Sequence, residues 1–470
     1  MLIGREREQK RLLEAYHSEY SELVAVYGRR RVGKTFLIRE TFDYKFTFQH
    51  TGIGEEKKSM QLKAWKNSLH ASGLDLPVPR TWMDAFEQLK ELISRSRTKR
   101  KVIFIDELPW MDTRSSGLLP ALEWFWNGWC TSRKDIVLII CGSSSSWITK
   151  KILKNKGGLH NRVGFKIPLR PFTLHECEAY ATYRKLGMNR KQLMEAYMAF
   201  GGVPFYWKAL ERGKSLAQNI DHCIFDPDGE LHDEFDALYK SLFKRPEPYI
   251  KVVELLASRR YGYSRLELLE RGKFVDNGQF SEVLKDLESC GFIRSYNILG
   301  HEKKEAIYQL TDPYSVFYYN FIAENRQADP QFWSHNYNSP LHSAWCGLGF
   351  ERVCMLHIDQ LRKALGISGT VSTACCWRSR LQKGGAQIDL MLDRNDGIMD
   401  VCEMKYTSAP LVLEAEDEEA RLRRERLLRE ESVTDKAIHH VLVSANGVKQ
   451  NSYSNEYANI IDGESLFELA

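Results

Sequence analysis

The sequence predicts an α/β protein with a parallel sheet in its first half and a second α/β domain near its end. Three apolar, β-branched segments, "LVAVY", "KVIFID" and "DIVLIICG", are separated by stretches of helical periodicity, as in a buried parallel sheet. A new α/β pattern begins near residue 340, and "AQIDLMLDR" and "GIMDVCEMKYTS" are predicted strands within it. A chain of 470 residues is too long for one ordinary core, so we expect two or three domains.

Composition narrows the class of protein before any motif is considered. Hydrophobic residues make up 43% and charged residues 27%, which is typical of a globular chain. The net charge of +5, from 67 basic and 62 acidic side chains, does not by itself predict a nucleic-acid partner. The ten cysteines form no Cys-x-x-Cys pair, so we expect buried thiols in a reducing cytoplasm. No apolar run approaches the roughly 20 residues that cross a bilayer, so we expect no membrane partner.

The stretch "VAVYGRRRVGKTFLIRE" fits the pattern G-x-x-x-x-G-K-T between a strand and a helix. Its glycines let backbone N–H groups turn toward phosphate oxygens, and the helix N-terminus adds positive potential. Lys34 is expected to reach the β- and γ-phosphates, and the Thr35 hydroxyl to bind Mg²⁺. The three arginines of the loop are either a solvated run or extra contacts to phosphate or to a neighbouring subunit. The predicted nucleotide loop is Gly28, Arg29, Arg30, Arg31, Val32, Gly33, Lys34, Thr35 and Phe36.

The second half of a nucleotide site should be a strand that ends in acidic residues, and "RKVIFIDELPWM" provides one. Asp106 is expected to hold Mg²⁺ through water, and Glu107 to orient and deprotonate the attacking water. After the strand "DIVLIICG", Ser143 or Ser144 is expected to point at the γ-phosphate, although loop serines are also common there. Arg162 is either an arginine finger, supplied in cis or by a neighbouring subunit, or an ordinary surface arginine.

Five segments, "IGRERE", "YGRRRVGKT", "FIDELPW", "CGSSSSW" and "GGVPFYW", occur in the order expected for an AAA+-like ATPase. The first half of the chain resembles the archaeal-type ATPases, which are related to STAND and origin-recognition ATPases. The resemblance implies ATP and Mg²⁺ as cofactors, a P-loop NTPase core over residues 1–170 and a helical lid over residues 171–245. It also implies that Gly4 and Arg5 lie near the adenine and that "GGVP" belongs to the lid.

Residues 246–325 are predicted to form three helices and a hairpin with a charged tip, which together make a winged helix-turn-helix. The third helix of such a module reads DNA. Here that helix carries Lys285 against Glu282, Asp286 and Glu288, which is a poor electrostatic footprint for DNA. We therefore interpret the module as one that couples domains or binds a partner, with DNA binding as the alternative.

The last part of the chain places acidic and basic side chains on apolar strands. Glu403 and Lys405 are two residues apart, so on a strand they project from the same face, beside Asp389 on the adjacent strand of a hairpin. Two carboxylates that hold Mg²⁺ and a lysine that positions a water are what metal-dependent phosphodiester cleavage needs. A structural salt bridge is the alternative, because Glu-x-Lys is a common pattern.

The ordered set of Glu351 on a helix, then Asp389, then Glu403-x-Lys405, resembles the PD-(D/E)XK nuclease fold that is appended to archaeal-type ATPases. The resemblance implies that Asp389 and Glu403 are metal ligands, Lys405 the water-positioning base and Glu351 an accessory ligand. Gln387 departs from the pattern at a position where a further acid would strengthen metal binding. Many domains of this fold bind nucleic acid without cutting it.

The stretch "LEAEDEEARLRRERLLREESV", residues 413–433, is a predicted charged helix. A solvated face with i,i+4 ion pairs is the favoured interpretation, and five arginines that face a DNA backbone are the alternative.

The sequence thus predicts a P-loop NTPase sheet with a helical lid, a winged helix, and a restriction-endonuclease-like α/β domain over residues 340–470. The predicted function is a Mg²⁺-dependent ATPase that gates a nuclease acting on nucleic acid, with DNA as the expected substrate and assembly into a homo-oligomer as one route of control. The alternative is a STAND-like switch that binds DNA or a partner protein without cleavage.

Overall fold

The computed structural model describes residues 1–470 except 155–156, 160, 300–305, 324–328, 380, 382–384 and 433. The chain divides into two compact units, Met1–Pro171 and Phe172–Ala470. The α-helices of the first unit are α1 Glu6–His17, α2 Lys34–Thr41, α3 Lys58–Ala71, α4 Trp82–Arg95, α5 Leu108–Met111, α6 Leu118–Gly128 and α7 Ser145–Trp147. Its strands are β1 Glu22–Tyr27, β2 Phe48–Thr51, β3 Lys101–Asp106, β4 Ile136–Gly142 and β5 Phe165–Pro168.

The first unit is built on a parallel five-stranded sheet in the order β2-β3-β4-β1-β5. Alternate residues of β1 enter different hydrophobic clusters, with Leu23 and Ala25 in one and Val24 and Val26 in the other. Both faces of the sheet are therefore covered, which explains why its central strands read as continuous apolar runs.

The strand order decides where the loops of this unit meet. Strand β4 lies between β1 and β3 and pairs with both in parallel. The loops that follow these three strands therefore leave the same edge of the sheet, with the loop after β4 in the middle. Ligands of open α/β sheets bind at this carboxyl edge.

The second unit holds the remaining elements. Its α-helices are α8 Leu174–Arg184, α9 Arg190–Phe200, α10 Pro204–Lys208, α11 Leu216–Ile220, α12 Glu234–Leu242, α13 Glu247–Ala257, α14 Arg265–Gly272, α15 Gly278–Ser289, α16 Pro313–Phe317, α17 Phe332–Asn336, α18 Pro340–Leu356, α19 Ile358–Ala364 and α20 Ala415–Ser432. Its strands are β6 Tyr263–Ser264, β7 Ile293–Tyr296, β8 Ile307–Leu310, β9 Ser372–Arg378, β10 Gln387–Arg394, β11 Ile398–Lys405, β12 Ala437–Ser444 and β13 Asn459–Asp462.

Two sheets organise the second unit. Strands β6, β8 and β7 form a small antiparallel sheet next to α13, α14 and α15. Strands β13-β12-β11-β10-β9 form a mixed sheet, in which β9, β10 and β11 are antiparallel and β11, β12 and β13 are parallel. Helix α18 packs on β11. The charged tip predicted for the hairpin of β7 and β8, residues 300–305, lies outside the described residues.

One hydrophobic cluster extends through the second unit from Phe172 to Phe467. The segments predicted as lid, winged helix and C-terminal domain share this core, and the structure does not separate them into units of their own. Gly202, in the predicted lid segment, shows how close the packing is, because a Cβ there would lie 1.8 Å from the Phe172 carbonyl oxygen.

Two expectations about the whole chain can be compared with the structure. All ten cysteines are free thiols, nine of them buried and Cys376 partly exposed, so the prediction of buried thiols holds for nine. Among the described residues, no helix combines the length and apolar character that crossing a membrane requires.

Candidate functional site

The loop between β1 and α2 has a backbone that its glycines determine. A Cβ on Gly28 would lie 2.1 Å from the carbonyl oxygen of Leu169, so only glycine fits there. Gly33 has a φ of 89°, in the left-handed region that favours glycine. The buried Lys34 ammonium donates to the carbonyl oxygens of Gly28 and Arg29 at 3.0 and 2.9 Å. Lys34 therefore curls over the loop, where a phosphate-binding lysine belongs.

Polar side chains from the loops after β1, β3 and β4 meet at the carboxyl edge of the sheet. The Thr35 hydroxyl donates to Asp106 Oδ2 at 2.7 Å. Glu107 Oε2 accepts hydrogen bonds from the backbone N–H and the hydroxyl of Ser143 at 3.1 and 2.7 Å. The structure thus brings together four of the side chains that the sequence predicted here. Hydroxyl and carboxylate oxygens are ligands that suit Mg²⁺.

The structure also distinguishes between the two candidate serines. Ser144 is the N-cap of α7, and its hydroxyl accepts from the Trp147 backbone N–H at 3.4 Å. Ser143 instead contacts Glu107 and is 3% exposed. Of the two serines, Ser143 is therefore the one whose side chain contacts Glu107 at the carboxyl edge of the sheet.

Gly4 and Arg5, which the family resemblance implies to lie near the adenine, directly precede α1. Both have positive φ angles, 66° and 70°. The Arg5 guanidinium is buried and donates to the carbonyl oxygens of Val32 and Arg170 at 3.4 and 2.7 Å. Arg5 therefore braces the phosphate-binding loop through its backbone.

The arginines of the loop differ in exposure. Arg29 is 3% exposed, which rules out a fully solvated run, while Arg30 and Arg31 are partly buried. Phe36, on the first turn of α2, is 46% exposed.

Arg162 is exposed in the turn before β5, and its role as an arginine finger stays a prediction.

A second cluster lies in the mixed sheet of the second unit. Leu390 of β10 pairs with Cys402 of β11 in antiparallel register, and Asp389 and Glu403 are the neighbouring residues just beyond this pair on the two strands. The Lys405 ammonium lies 3.3 Å from Glu403 Oε1. The two strands therefore place Asp389, Glu403 and Lys405 close together, as the sequence predicted.

Glu351 on α18 joins this cluster through an arginine that the sequence did not single out. Arg260, in the turn between α13 and β6, forms an ion pair with Glu351 and lies 3.8 Å from Asp389 Oδ2. Burial raises the pKa of Glu351 to about 7, and the negative charge of Asp389 adds to this shift. Burial also raises the pKa of Asp389. The carboxylates of Glu351 and Asp389 therefore lie near each other, and the Arg260 guanidinium contacts both of them.

Three further partners of the acidic cluster were missed as such by the sequence analysis. The Arg424 guanidinium of α20 forms an ion pair with Glu403, and the Tyr457 hydroxyl donates to Glu403 Oε2 at 2.9 Å. Gln387 Nε2 donates to Asp389 Oδ1 at 2.7 Å, so the glutamine orients the carboxylate that it was expected to supplement.

Helix α20 agrees in part with its favoured interpretation, because Glu425 and Arg429 form an i,i+4 ion pair. Arg421 is 6% exposed, and Arg424 points at Glu403. The helix therefore does not present a simply solvated face. Its arginine-rich composition was the signal that could have identified a partner of the acidic cluster, whereas Arg260 has no such local signal.

Comparisons with known proteins find similarity in the part of the chain that contains Thr35, Asp106, Glu107 and Ser143. A sequence model of the family described as "ATPase domain predominantly from Archaea" matches residues 2–210. An uncharacterized protein of Methanocaldococcus jannaschii is 26% identical over 419 residues, which cover 86% of this chain and 88% of the relative.

Solved structures extend this comparison. A Walker-type ATPase of Pyrococcus abyssi aligns with a TM-score of 0.51 at 18% identity, covering 68% of this chain and 96% of its own. The ORC2 protein of Aeropyrum pernix aligns with a TM-score of 0.42 at 14% identity, covering 70% of this chain and 95% of its own. The first unit has a parallel α/β fold like that of a P-loop ATPase, and residues 2–210 are similar to the archaeal ATPase-domain family.

Proposed function

We propose that the chain is a Mg²⁺-dependent ATPase whose nucleotide cycle controls a phosphodiester-cleaving site in residues 340–470. The observation that carries the proposal is the convergence of Asp389, Glu403 and Lys405 on adjacent strands, with Glu351 joined to Asp389 through Arg260. These four charged side chains are partly withdrawn from solvent, and such charges are costly unless they are paired or hold a metal ion.

The ATPase chemistry follows from the first cluster. Lys34 binds the β- and γ-phosphates, while Thr35 and Asp106 hold Mg²⁺. Mg²⁺ bound by these residues would supply neutralisation of the charge on the transferred phosphoryl group. Glu107 accepts the proton of the attacking water, and its two hydrogen bonds from Ser143 fix the carboxylate for that role.

The second cluster supports metal-assisted hydrolysis. Its three carboxylates, Glu351, Asp389 and Glu403, are oxygen donors of the kind that Mg²⁺ and Mn²⁺ prefer. A bound metal there supplies charge neutralisation at the phosphate and a more acidic water. Lys405, which contacts Glu403 at 3.3 Å, orients that water for attack.

Control of the nuclease-like site is proposed to pass through the shared core of the second unit. The predicted winged-helix segment contributes Arg260, which pairs with Glu351. The predicted lid segment shares the same hydrophobic cluster as the mixed sheet. A movement of either segment therefore alters the surroundings of the acidic cluster.

The test is a titration of the full-length protein with Mg²⁺ and Mn²⁺ in the presence of end-labelled DNA or RNA, with and without ATP. We expect metal-dependent products from the wild-type protein and none from Lys405→Ala. Lys449→Ala, which changes an exposed lysine, is the matched control and should cut normally.

A STAND-like switch that binds without cutting is the second candidate function. It is favoured by the ion pairs that engage Glu351 with Arg260 and Glu403 with Arg424. Stoichiometric binding of DNA by the wild-type protein, with no products in either metal, would support this switch and overturn the nuclease.

A further inference from the structure

A second group of metal-binding side chains lies away from both clusters described above. Glu195 on α9 faces His342 and Cys346, which are four residues apart on one side of α18. Residues at i and i+4 are neighbours on a helix, so their side chains can hold one ion together. Neither the ATPase chemistry nor the nuclease-like chemistry uses these three residues.

The distances within this group suit a tetrahedral cation. His342 Nε2 lies 3.6 Å from Cys346 Sγ and 3.9 Å from Glu195 Oε2. One ligand atom from each residue can be chosen so that all three lie within 4.8 Å of one another. Zinc–ligand bonds of about 2.0–2.3 Å put tetrahedral ligand atoms about 3.3–3.7 Å apart, so small side-chain adjustments complete the geometry.

The charge at this place also calls for a cation. Glu195, His342 and Cys346 are 5%, 7% and 1% exposed. Within the part of the chain that the structure describes, no lysine or arginine forms an ion pair with Glu195. A buried carboxylate without such a partner is expensive, and a divalent cation offsets its charge.

Two tyrosines already orient the carboxylate. The hydroxyls of Tyr406 and Tyr337 donate to Glu195 Oε1 and Oε2 at 2.6 and 3.1 Å. Such outer hydrogen bonds to a ligating carboxylate are typical of metal sites.

We propose that Glu195, His342 and Cys346 bind a zinc-class divalent cation. Nitrogen and sulfur ligands select such an ion over Mg²⁺, which prefers oxygen alone. Binding replaces the thiol proton of Cys346, which is released to solvent, by a metal–sulfur bond.

The cation ties α9 to α18 and, through Tyr406, to the end of β11. Helix α18 carries Glu351, and Tyr406 directly follows Lys405. The ion therefore fixes the position of the acidic cluster relative to the predicted lid segment. Only this role rests on the proposed function, and metal binding itself is independent of it.

The experiment measures bound metal in full-length, tag-free protein by mass spectrometry and then replaces it with Co²⁺. We expect roughly one zinc per chain and a cobalt–thiolate charge-transfer band in the near ultraviolet. Cys346→Ser should abolish the band. Cys354→Ser, a buried thiol on the same helix, should keep both the band and the zinc.

Either of two results would overturn the proposal: wild-type protein that takes up neither metal, or equal loss of the band in both cysteine variants. If Cys346→Ser fails to fold, Glu195→Gln replaces it, because the amide keeps the size of the side chain. Its zinc affinity should fall by more than the about 10–100-fold cost of losing an outer hydrogen-bond partner. Unchanged affinity in Glu195→Gln also contradicts the proposal. These readouts do not depend on ATP turnover or nucleic-acid cleavage.

Discussion

Glu107 directly follows β3. Its φ of 48° is a backbone conformation that residues other than glycine rarely adopt. Such strain costs on the order of 1–3 kcal/mol and persists where the surrounding structure holds it in place. Here the two hydrogen bonds from Ser143 hold the carboxylate at the carboxyl edge of the sheet. The strain is consistent with a residue whose position matters more than its local stability.

Replacing Glu107 with glutamine tests this role directly. We expect Glu107→Gln to lower kcat for ATP hydrolysis by about 10²–10⁴-fold, because an amide cannot accept the proton of water. Nucleotide affinity should stay close to the wild-type value, since Lys34 and Thr35 are intact. Steady-state turnover and equilibrium binding of a fluorescent nucleotide separate the two effects. A variant that hydrolyses ATP at the wild-type rate would remove Glu107 from the mechanism.

At the scale of elements, one carboxylate joins the starts of two central strands. Asp135, just before β4, forms a two-pronged ion pair with Arg133 and a second ion pair with Lys101 of β3. The hydrogen bonds from Arg133 lower the pKa of Asp135 from 3.8 to about 2, and those from Lys101 act in the same direction. The charged form is therefore favoured in the folded state.

Asp135→Asn should destabilise the first unit by about 1 kcal/mol at neutral pH, a modest value because the pair is partly exposed. A lowered pKa means that the stabilisation is complete above pH 3.8 and is lost as the pH falls toward 2. The difference in unfolding temperature between wild type and variant should shrink across that window. Asp75→Asn, which changes a 70% exposed ion-pair partner, is the control and should have little effect. A difference that does not depend on pH would contradict the assignment.

Arg260, in the turn between α13 and β6, is expected to affect metal binding by the acidic cluster. Arg260 places a positive charge on Glu351 and near Asp389, where it competes with a metal ion. We expect Arg260→Ala to tighten Mn²⁺ binding by about tenfold, or about 1.4 kcal/mol. Calorimetric titration measures this, with Arg259→Ala as the control, because Arg259 pairs with Glu267 instead. Equal Mn²⁺ affinity in the two variants would show that Arg260 does not compete.

Local signals decided which of these features the sequence could predict. The phosphate-binding loop was predictable because an apolar strand, Gly28 and the run Gly33-Lys34-Thr35 follow one another closely in the sequence. Glu403 and Lys405 were placed on one face because strand periodicity fixes the direction of alternate side chains. The charged helix was recognised as a helix, but its contact with Glu403 depends on tertiary packing.

Features that join distant segments were not predictable in the same way. Arg260 lies in an ordinary basic turn, and only the tertiary fold brings it to Glu351 on α18. The group of Glu195, His342 and Cys346 has its members on two helices far apart in the chain. The short strand Asn459–Asp462 has too few residues for a clear alternating pattern.

At the scale of the whole molecule, the two clusters to which we assign phosphate chemistry in the proposed function lie in different compact units. The first unit holds Lys34, Thr35 and Asp106, and the second holds Asp389 and Glu403. Because the clusters belong to different units, a substitution in the second cluster should leave ATP turnover intact, whereas a substitution in the first should remove both ATP turnover and the stimulation of cleavage by ATP. This separation is the central claim of the account.

The most direct test measures ATP turnover and nucleic-acid cleavage on the same preparations of Lys34→Ala and Lys405→Ala. We predict that Lys34→Ala loses ATP turnover and ATP-stimulated cleavage, while Lys405→Ala loses cleavage and keeps ATP turnover. Cleavage by Lys405→Ala at the wild-type rate, with ATP turnover intact, would contradict the account.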